Sequence, residues 1–498
     1  MNTDYSQFLH MLPEVTLMAV FVIVLLTDLF TAPRVAPVAA TEGKPFTAPR
    51  GWFNCVVCTL MLVHLLINIC PVAPATTFSG MYITNGPIGV IKTILAFGTL
   101  IVLIQSREWM RRPDTFFKEG EFYILTLSTL LGMNFMVSAN HFLLFFLGLE
   151  LASVPMACLV AFDKYRHNSA EAGAKFIITA TFSSAVMLFG ISLLYGAVGT
   201  LYFEDMAALL TATPLTITGL VFFFSGLGFK LSLVPFHFWT ADTYQGAPTT
   251  VTGYLSVVSK GAAAFALCAI LMKVFVAITD YWQYLLFIVI VLSITVANLF
   301  AIHQKDLKRF MAYSSISQAG YIVLAIVGNG NMSLSALSFY VLIYVAANMA
   351  VFTIISSIEE HNGGCVDMDS YNGLYQTNPR LAFLMTLALF SLGGIPPFAG
   401  MFSKFFVFMA AIQGQAVDTA MGAITYVVVL IALVNTVVSL YYYLLIVKAM
   451  YINRTEEPLP AFATPERTRL SLALCTSGIV LFGIISFVYE WIFGCVVA

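Results

Sequence analysis

The chain has 498 residues, 60% of them hydrophobic and only 10% charged, with a formal net charge of −2 and a mean hydropathy of +0.90. A soluble domain carries about 25% charged residues, and no polar stretch here is long enough to fold as one. The composition excludes a soluble enzyme or a nucleic-acid binder and reads as an all-α polytopic membrane protein in a lipid bilayer.

Windows of about 20 apolar residues mark spanning helices. In chain order they fall at 14–31, 51–71, 86–105, 122–139, 141–160, 171–197, 214–239, 248–275, 282–302, 310–328, 333–357, 381–412, 422–447 and 470–494, which makes fourteen. A membrane β-barrel would need alternating segments of about 10 residues, whereas these runs are continuous. The first span is not a cleaved signal peptide, because no Lys or Arg precedes Arg34. The expected organisation is a three-helix segment over 1–121, five-helix units over 122–275 and 282–449, and a C-terminal transmembrane helix within 470–498.

Lysine and arginine positions predict orientation. With the N-terminus outside, the inside loops and helix starts hold 18 of the 23. They include Arg34, Lys44 and Arg50, then Arg107, Arg111, Arg112 and Lys118, and at the end Lys448, Arg454, Arg467 and Arg469. Outside loops keep only Lys92 and Lys273, near helix ends. The positive-inside bias therefore places both termini outside. The eight cysteines make no redox centre. Cys55 and Cys58 form a C-x-x-C inside an apolar window without the further ligands that zinc or an iron–sulfur cluster needs, and they read as packing residues. No nucleotide-binding fingerprint occurs, so no cofactor or metal is expected in this chain.

The informative residues are ionisable ones at membrane depth, each costly unless partnered and therefore a functional candidate. Lys230 lies in GLGFKLSLVPFHFW, Lys260 in TGYLSVVSKGAAAFAL, Lys404 in GGIPPFAGMFSKFFVF, and Glu150 closes HFLLFFLGLE. Bland readings stand beside these. Lys260 could snorkel from a tilted helix, Glu150 could be a structural partner of a lysine, and His237 is either a headgroup-level residue or a relay. Proline adds to the pattern. Pro235 clashes with the carbonyl of Leu231, and Pro396–Pro397 free those of Leu392 and Gly393. Broken backbone at membrane depth persists only inside protein or beside a wet cavity. The breaks, at Pro235 and at Pro396, each fall in the fourth span of a five-span unit. Such units must be inverted relative to each other, and paired broken helices of this kind point to an ion pathway.

The stretch GLGFKLSLVPFHFWTADTYQGAPTTVTGYLSVVSK, with LGLELASVP, KRFMAYSSIS and GGIPPFAGMFSKF, resembles the antiporter-like N-type subunits of respiratory complex I, the proton-pumping NADH:quinone oxidoreductase. The resemblance covers nearly the whole chain. It implies a proton-channel subunit in which Glu150 and Lys230 form a glutamate–lysine pair, Lys260 is the connecting lysine and Lys404 the terminal one. It further implies M- and K-type neighbours in the membrane arm and a bacterial cytoplasmic (inner) membrane. NADH, FMN, iron–sulfur clusters and quinone would be handled by partner subunits in a peripheral redox arm. Lys404 argues against an M-type chain and the end at Ala498 against an L-type one. Gln318 departs from the family's usual histidine after SSIS, so a titrating group is missing there. A Mrp-type cation/proton antiporter subunit or a non-pumping structural subunit would share much of this pattern.

Overall fold

A computed structural model describes residues 5–32, 50–69, 73–164, 166–328, 330–413, 415, 418–453, 455, 458–485 and 487–497. Arg34, Lys44 and Arg454 lie outside these residues. The apolar windows fold as helices because a backbone in lipid must satisfy its own hydrogen bonds. The N-terminal segment holds α1 (Leu12–Thr31), α2 (Phe53–Asn68) and α3 (Gly86–Met110). Between α2 and α3 the chain forms a hairpin that the apolar pattern does not signal, β1 (Ala75–Thr77) against β2 (Tyr82–Thr84). The first unit follows with α4 (Glu119–Val137), α5 (Phe142–Val160), α6 (His167–Val198), the short α7 (Phe203–Leu209), α8 (Pro214–Leu231), α9 (Phe238–Gly246), α10 (Thr249–Tyr254) and α11 (Lys260–Lys273). A π turn over Leu255–Ser259 joins α10 to α11. The second unit comprises α12 (Thr279–Ile302), α13 (Leu307–Leu324), α14 (Asn331–His361), α15 (Leu374–Thr377), α16 (Pro379–Gly393), α17 (Ala399–Ile412) and α18 (Ala420–Tyr451).

Two refinements concern the expected spans. Where one helix was expected within 470–498, the chain forms α19 (Glu466–Ile484) and α20 (Phe487–Val497). The reason is a tertiary contact: Gly483 abuts the backbone of Pro397, Phe398 and Ala399, so another element presses on the helix where it gives way, and Ile485 is extended. The second concerns length. Among the described residues, 11 helical stretches are long and apolar enough to cross a membrane, and α2, α16, α17 and α20 are shorter apolar helices. α13 carries Lys308, Arg309, Ser314, Ser315, Ser317 and Gln318. It tolerates them because most of its residues are buried in protein rather than against lipid.

The basic loops share one face. Arg112 pairs with Glu360 at 3.3 Å, Gln245 reaches Asp306 at 3.0 Å, and Leu307 N–H donates to Val366 O at 3.1 Å. On the opposite face the Phe78 N–H donates to Gln7 Oε1 at 2.9 Å, and Gly86 touches Cys495 near the chain's end. The N- and C-terminal helices thus begin and end on the face away from the basic loops. On that same face the hairpin is stitched to the α4–α5 turn. Ile83 N–H donates to Ser138 O at 2.9 Å and Asn140 N–H to Met81 O at 2.9 Å; Phe203 N–H then joins Asn140 O at 3.1 Å.

Glycines set the spacing of the helices that carry the candidate residues. A Cβ on Gly132 of α4 would run into the backbone of Leu151 and Ala152 on α5, and one on Gly148 of α5 would lie 2.9 Å from Gly132 O. Gly190 of α6 and Gly219 of α8 meet in the same manner, with Gly219 O 2.8 Å from a Cβ on Gly190. Small residues at such crossings let two backbones approach closely.

Candidate functional site

Both broken helices have the same local construction. α8 ends with Ser232 left-handed at φ 62°, and Leu233 N–H returns to Gly228 O at 2.8 Å. α16 ends with Gly394 at φ 85°, and Ile395 N–H returns to Phe390 O at 3.0 Å. Each is a Schellman-type stop, in which a left-handed residue lets the chain turn back on the last carbonyls. The two left-handed caps, Ser232 and Gly394, align the proline that follows each. They match Pro235 with Pro397, the second proline of the PP dipeptide, rather than with Pro396.

Lys230, in the last turn of α8, donates through Nζ to Ser153 Oγ on α5, with the Phe176 ring 5.8 Å away. Glu150 lies one turn before Ser153 on α5 and acts on Lys230 across space. Its Oε1 is buried with no hydrogen-bond partner among the described residues. The glutamate–lysine pair is thus a near neighbourhood in which a serine, not the carboxylate, holds the ammonium. Pro155 removes an N–H from the following turn of α5.

Lys260 follows the π turn directly, is 1% exposed, and donates to Ser315 Oγ on α13 at 2.6 Å. Tyr244 OH also reaches Ser315 Oγ, at 3.3 Å, and its ring lies 5.6 Å from the ammonium. Burial this deep is incompatible with snorkelling. The π turn is itself held from α14, where Asn348 Nδ2 donates to Ser256 Oγ at 2.7 Å; such turns recur at functional sites.

Lys404 on α17 donates to Leu392 O at 2.9 Å and more weakly to Gly393 O at 3.4 Å, the two carbonyls that the proline pair leaves open. Gln318 Nε2 shares Leu392 O at 3.3 Å and donates to Tyr443 OH at 3.2 Å, while Tyr340 OH donates to Gln318 Oε1. A cavity of about 10 Å³, lined in part by Gln318, Tyr340, Tyr344, Ser403 and Lys404, is about the size of one water molecule.

His237 sits apart. It caps α9 inside the broken helix and is buried, with its ring 4.5 Å from that of Phe238. Its Nδ1 has no partner among the described residues. Nearby along the chain, the hydroxyls of Ser232, Thr240 and Thr243 are buried and unpartnered as well, a pattern that calls for bound water.

Sequence reading missed the lysines' immediate partners and a further buried ion pair. Lys92 of α3 meets Glu14 of α1 at 2.6 Å, each side chain 2% exposed. Tyr82 OH donates to Glu14 Oε2 at 2.8 Å and accepts from Lys92 Nζ at 3.0 Å. Lys92 does lie near a helix end, in the second turn of α3, and packing buries it there. Ser153 and Ser315 were within quoted motifs, and the step from one to the other equals the step from Ser232 to Gly394 and from Pro235 to Pro397; that shared spacing was the available signal. At the basic face, a cavity of about 330 Å³ is lined in part by Gln245, Thr249, Asp306, Lys308 and Glu359. Lys308 Nζ donates there to Ala247 O at 2.8 Å, and Thr249 Oγ1 donates to Glu359. Asp163, in the α5–α6 loop of the same cavity, has its carboxyl pushed above the usual range by burial, with Arg166 pulling it back.

A profile of the NADH:quinone oxidoreductase/Mrp antiporter transmembrane family matches residues 139–447, a range holding both helix breaks and the four candidate residues Glu150, Lys230, Lys260 and Lys404. NADH-quinone oxidoreductase subunit N of Phocaeicola vulgatus is 58% identical over 98% of each chain. The subunit N of Azobacteroides pseudotrichonymphae is 46% identical, again over 98% of each. The chain belongs to the NADH-quinone oxidoreductase subunit N family. A chain from Thermus thermophilus respiratory complex I superimposes on it with a TM-score of 0.76 at 29% identity, covering 95% of this chain and 97% of that one. A chain of the Mrp complex from Dietzia sp. gives 0.79 at 18% identity over 99% and 97%. Fold is therefore shared across the wider family, and sequence is what places this chain among the subunit N proteins.

Proposed function

We propose that this chain is a membrane-arm subunit of a proton-pumping NADH:quinone oxidoreductase, carrying protons along Glu150, Lys230, Lys260 and Lys404 while partner subunits perform the redox chemistry. The carrying observation is the contrast between Lys92 and the three candidate lysines. Lys92 faces a carboxylate at 2.6 Å; such a pair, once broken, leaves a bare buried charge, which suits a fixed strut. Lys230, Lys260 and Lys404 are held by neutral acceptors, two serine hydroxyls and two carbonyls. A neutral acceptor tolerates both the charged and the neutral amine, as a proton carrier requires.

The route is electrostatic. Burial favours the neutral amine and a nearby carboxylate favours the ammonium. With Glu150 turned toward Lys230 the lysine holds its proton; with Glu150 turned away, the proton passes on through bound water toward Lys260. Ser315, Tyr244, Gln318 and Tyr340 mark the way from Lys260 toward Lys404, the terminal group. The polar cavity at the basic face supports entry there. The like-built breaks, and the equal sequence steps between matched residues of the two units, support two inverted five-helix repeats; fourteen crossings of a bacterial inner membrane complete this reading.

Lys230→Arg tests the carrier role, since arginine keeps the charge and cannot release its proton in the working range. The expected variant assembles but pumps poorly when proton uptake into membrane vesicles is measured at matched complex content. Full-rate pumping would make Lys230 a fixed charge only. Purification from native membranes tests the assembly: an NADH-oxidising arm should co-purify, and its absence would favour a Mrp-type antiporter.

A further inference from the structure

The Cys55-x-x-Cys58 pair acquires a different meaning once folded. α2 starts at Phe53, so Cys55 lies in the first helical turn, at the basic face, and is partly exposed, while Cys58 one turn deeper is buried. Arg467 comes from the start of α19, at the far end of the chain, and places Nη2 2.8 Å from Cys55 Sγ. Cys58 Sγ faces Asn54 Oδ1 at 3.7 Å. We infer that Cys55 and Cys58 form a redox-active dithiol, open to the basic face, that peroxides oxidise to an intrahelical disulfide.

The anionic sulfur is the nucleophile in thiol chemistry, and helix N-terminal N–H groups and guanidinium groups are its usual partners. Cys55 has both. Residues three apart on a helix share a face, with Cβ atoms about 5–6 Å apart, and a disulfide needs them about 3.5–4.5 Å apart, so closing the bond draws the first turn of α2 in by about 1–2 Å. The Cys55 sulfur attacks one peroxide oxygen, the O–O bond breaks, and hydroxide or alkoxide leaves, giving a sulfenic acid. The Cys58 thiol then attacks that sulfur, forming the S–S bond as water departs with the thiol proton. Two electrons pass from the dithiol to the peroxide. Oxidation takes away the sulfur that Arg467 holds and so unties α2 from α19.

Cys365 supplies an internal contrast. It is exposed, and its Sγ lies 3.6 Å from the Asp367 carboxylate, a neighbour that repels an anionic sulfur. In the assembled complex at fixed neutral pH, N-ethylmaleimide should label Cys55 about tenfold faster than Cys365, read by peptide mass spectrometry. Hydrogen peroxide should then yield a Cys55–Cys58 peptide lighter by two hydrogens and closed to labelling. Arg467→Gln should slow Cys55 labelling several-fold at equal complex content. If that variant does not assemble, Cys58→Ser replaces it, and peroxide should leave a sulfenic acid on Cys55 that dimedone traps. Labelling of Cys55 no faster than of Cys365, peroxide leaving both thiols free, or no dimedone adduct would each overturn the assignment.

Discussion

Lys404 is solvated by carbonyls that a helix break exposes, so its removal leaves backbone that water can reach rather than an orphaned carboxylate. Lys404→Ala should therefore retain the assembled complex while proton translocation falls about tenfold or more, measured in vesicles at matched complex content. Loss of the complex would instead make Lys404 structural. Gln318 cannot titrate, yet it joins Tyr340, Tyr443 and the Leu392 carbonyl. Gln318→Leu removes all three links and should slow pumping, whereas Gln318→His should retain it. Lys92 behaves in the opposite way. Lys92→Met strands Glu14 in a 2%-exposed site and should cost roughly 3–5 kcal/mol, seen as a lowered melting temperature of the purified complex. Adding Glu14→Leu should recover most of that loss, which a proton-transfer role for the pair would not predict.

The spans were legible because apolar windows of membrane length have few alternatives, and both helix breaks were legible because proline cannot continue a helix. The partners of the lysines were not. A serine in a helix usually bonds its own preceding turn, as Ser153 does to Leu149 O at 2.5 Å, and only tertiary packing brings Lys230 to the same hydroxyl. The depth of Lys92 was illegible for the same reason: sequence places it in the second turn of a helix, and the hairpin that covers it has no apolar signature. The bend between α19 and α20 arises from contact with the α16–α17 break, which lies beyond the whole of α18 in sequence. At this scale the glycine crossings make a direct prediction. Gly148→Leu would force α5 away from α4, where Gly132 O sits 2.9 Å from even a Cβ. Overpacking of this kind costs about 1–3 kcal/mol, and it displaces Glu150 and Ser153 together. Reduced complex content, or a pumping defect in whatever assembles, is expected; a fully active variant would show that the spacing is not needed.

Across the whole molecule, the basic loops share one face, and the start of α1 and the end of α20 lie toward the other, the arrangement that cytoplasmic basic loops and outward termini require. A single cysteine at Arg111, in a background freed of other accessible cysteines, should resist a membrane-impermeant maleimide in intact cells and label in inverted vesicles. Strong labelling in intact cells would reverse the orientation. The two five-helix units also differ where their spacing matches. Ser153 and Ser315 each hold a lysine, but the same step taken back from Lys404 lands on Asp242. There the first unit carries an acid paired with Lys175 and Arg309, each at 2.7 Å, where the second carries a lysine bound to backbone carbonyls.

The hairpin seam on the terminal face bears on how such a machine can move. β1 and β2, the α4–α5 turn and the start of α7 share main-chain hydrogen bonds in one continuous ribbon. A carrier that pulled the hairpin or α7 away from the α4–α5 turn would have to tear that ribbon and reseal it in every cycle. A conductor that relies on swinging side chains and rearranging water would leave it untouched, behaving less like a revolving door than like a circuit with a small relay inside a rigid housing. Stapling the ribbon with an engineered disulfide between positions 141 and 202, which already pair as a bridge, should then leave turnover unchanged.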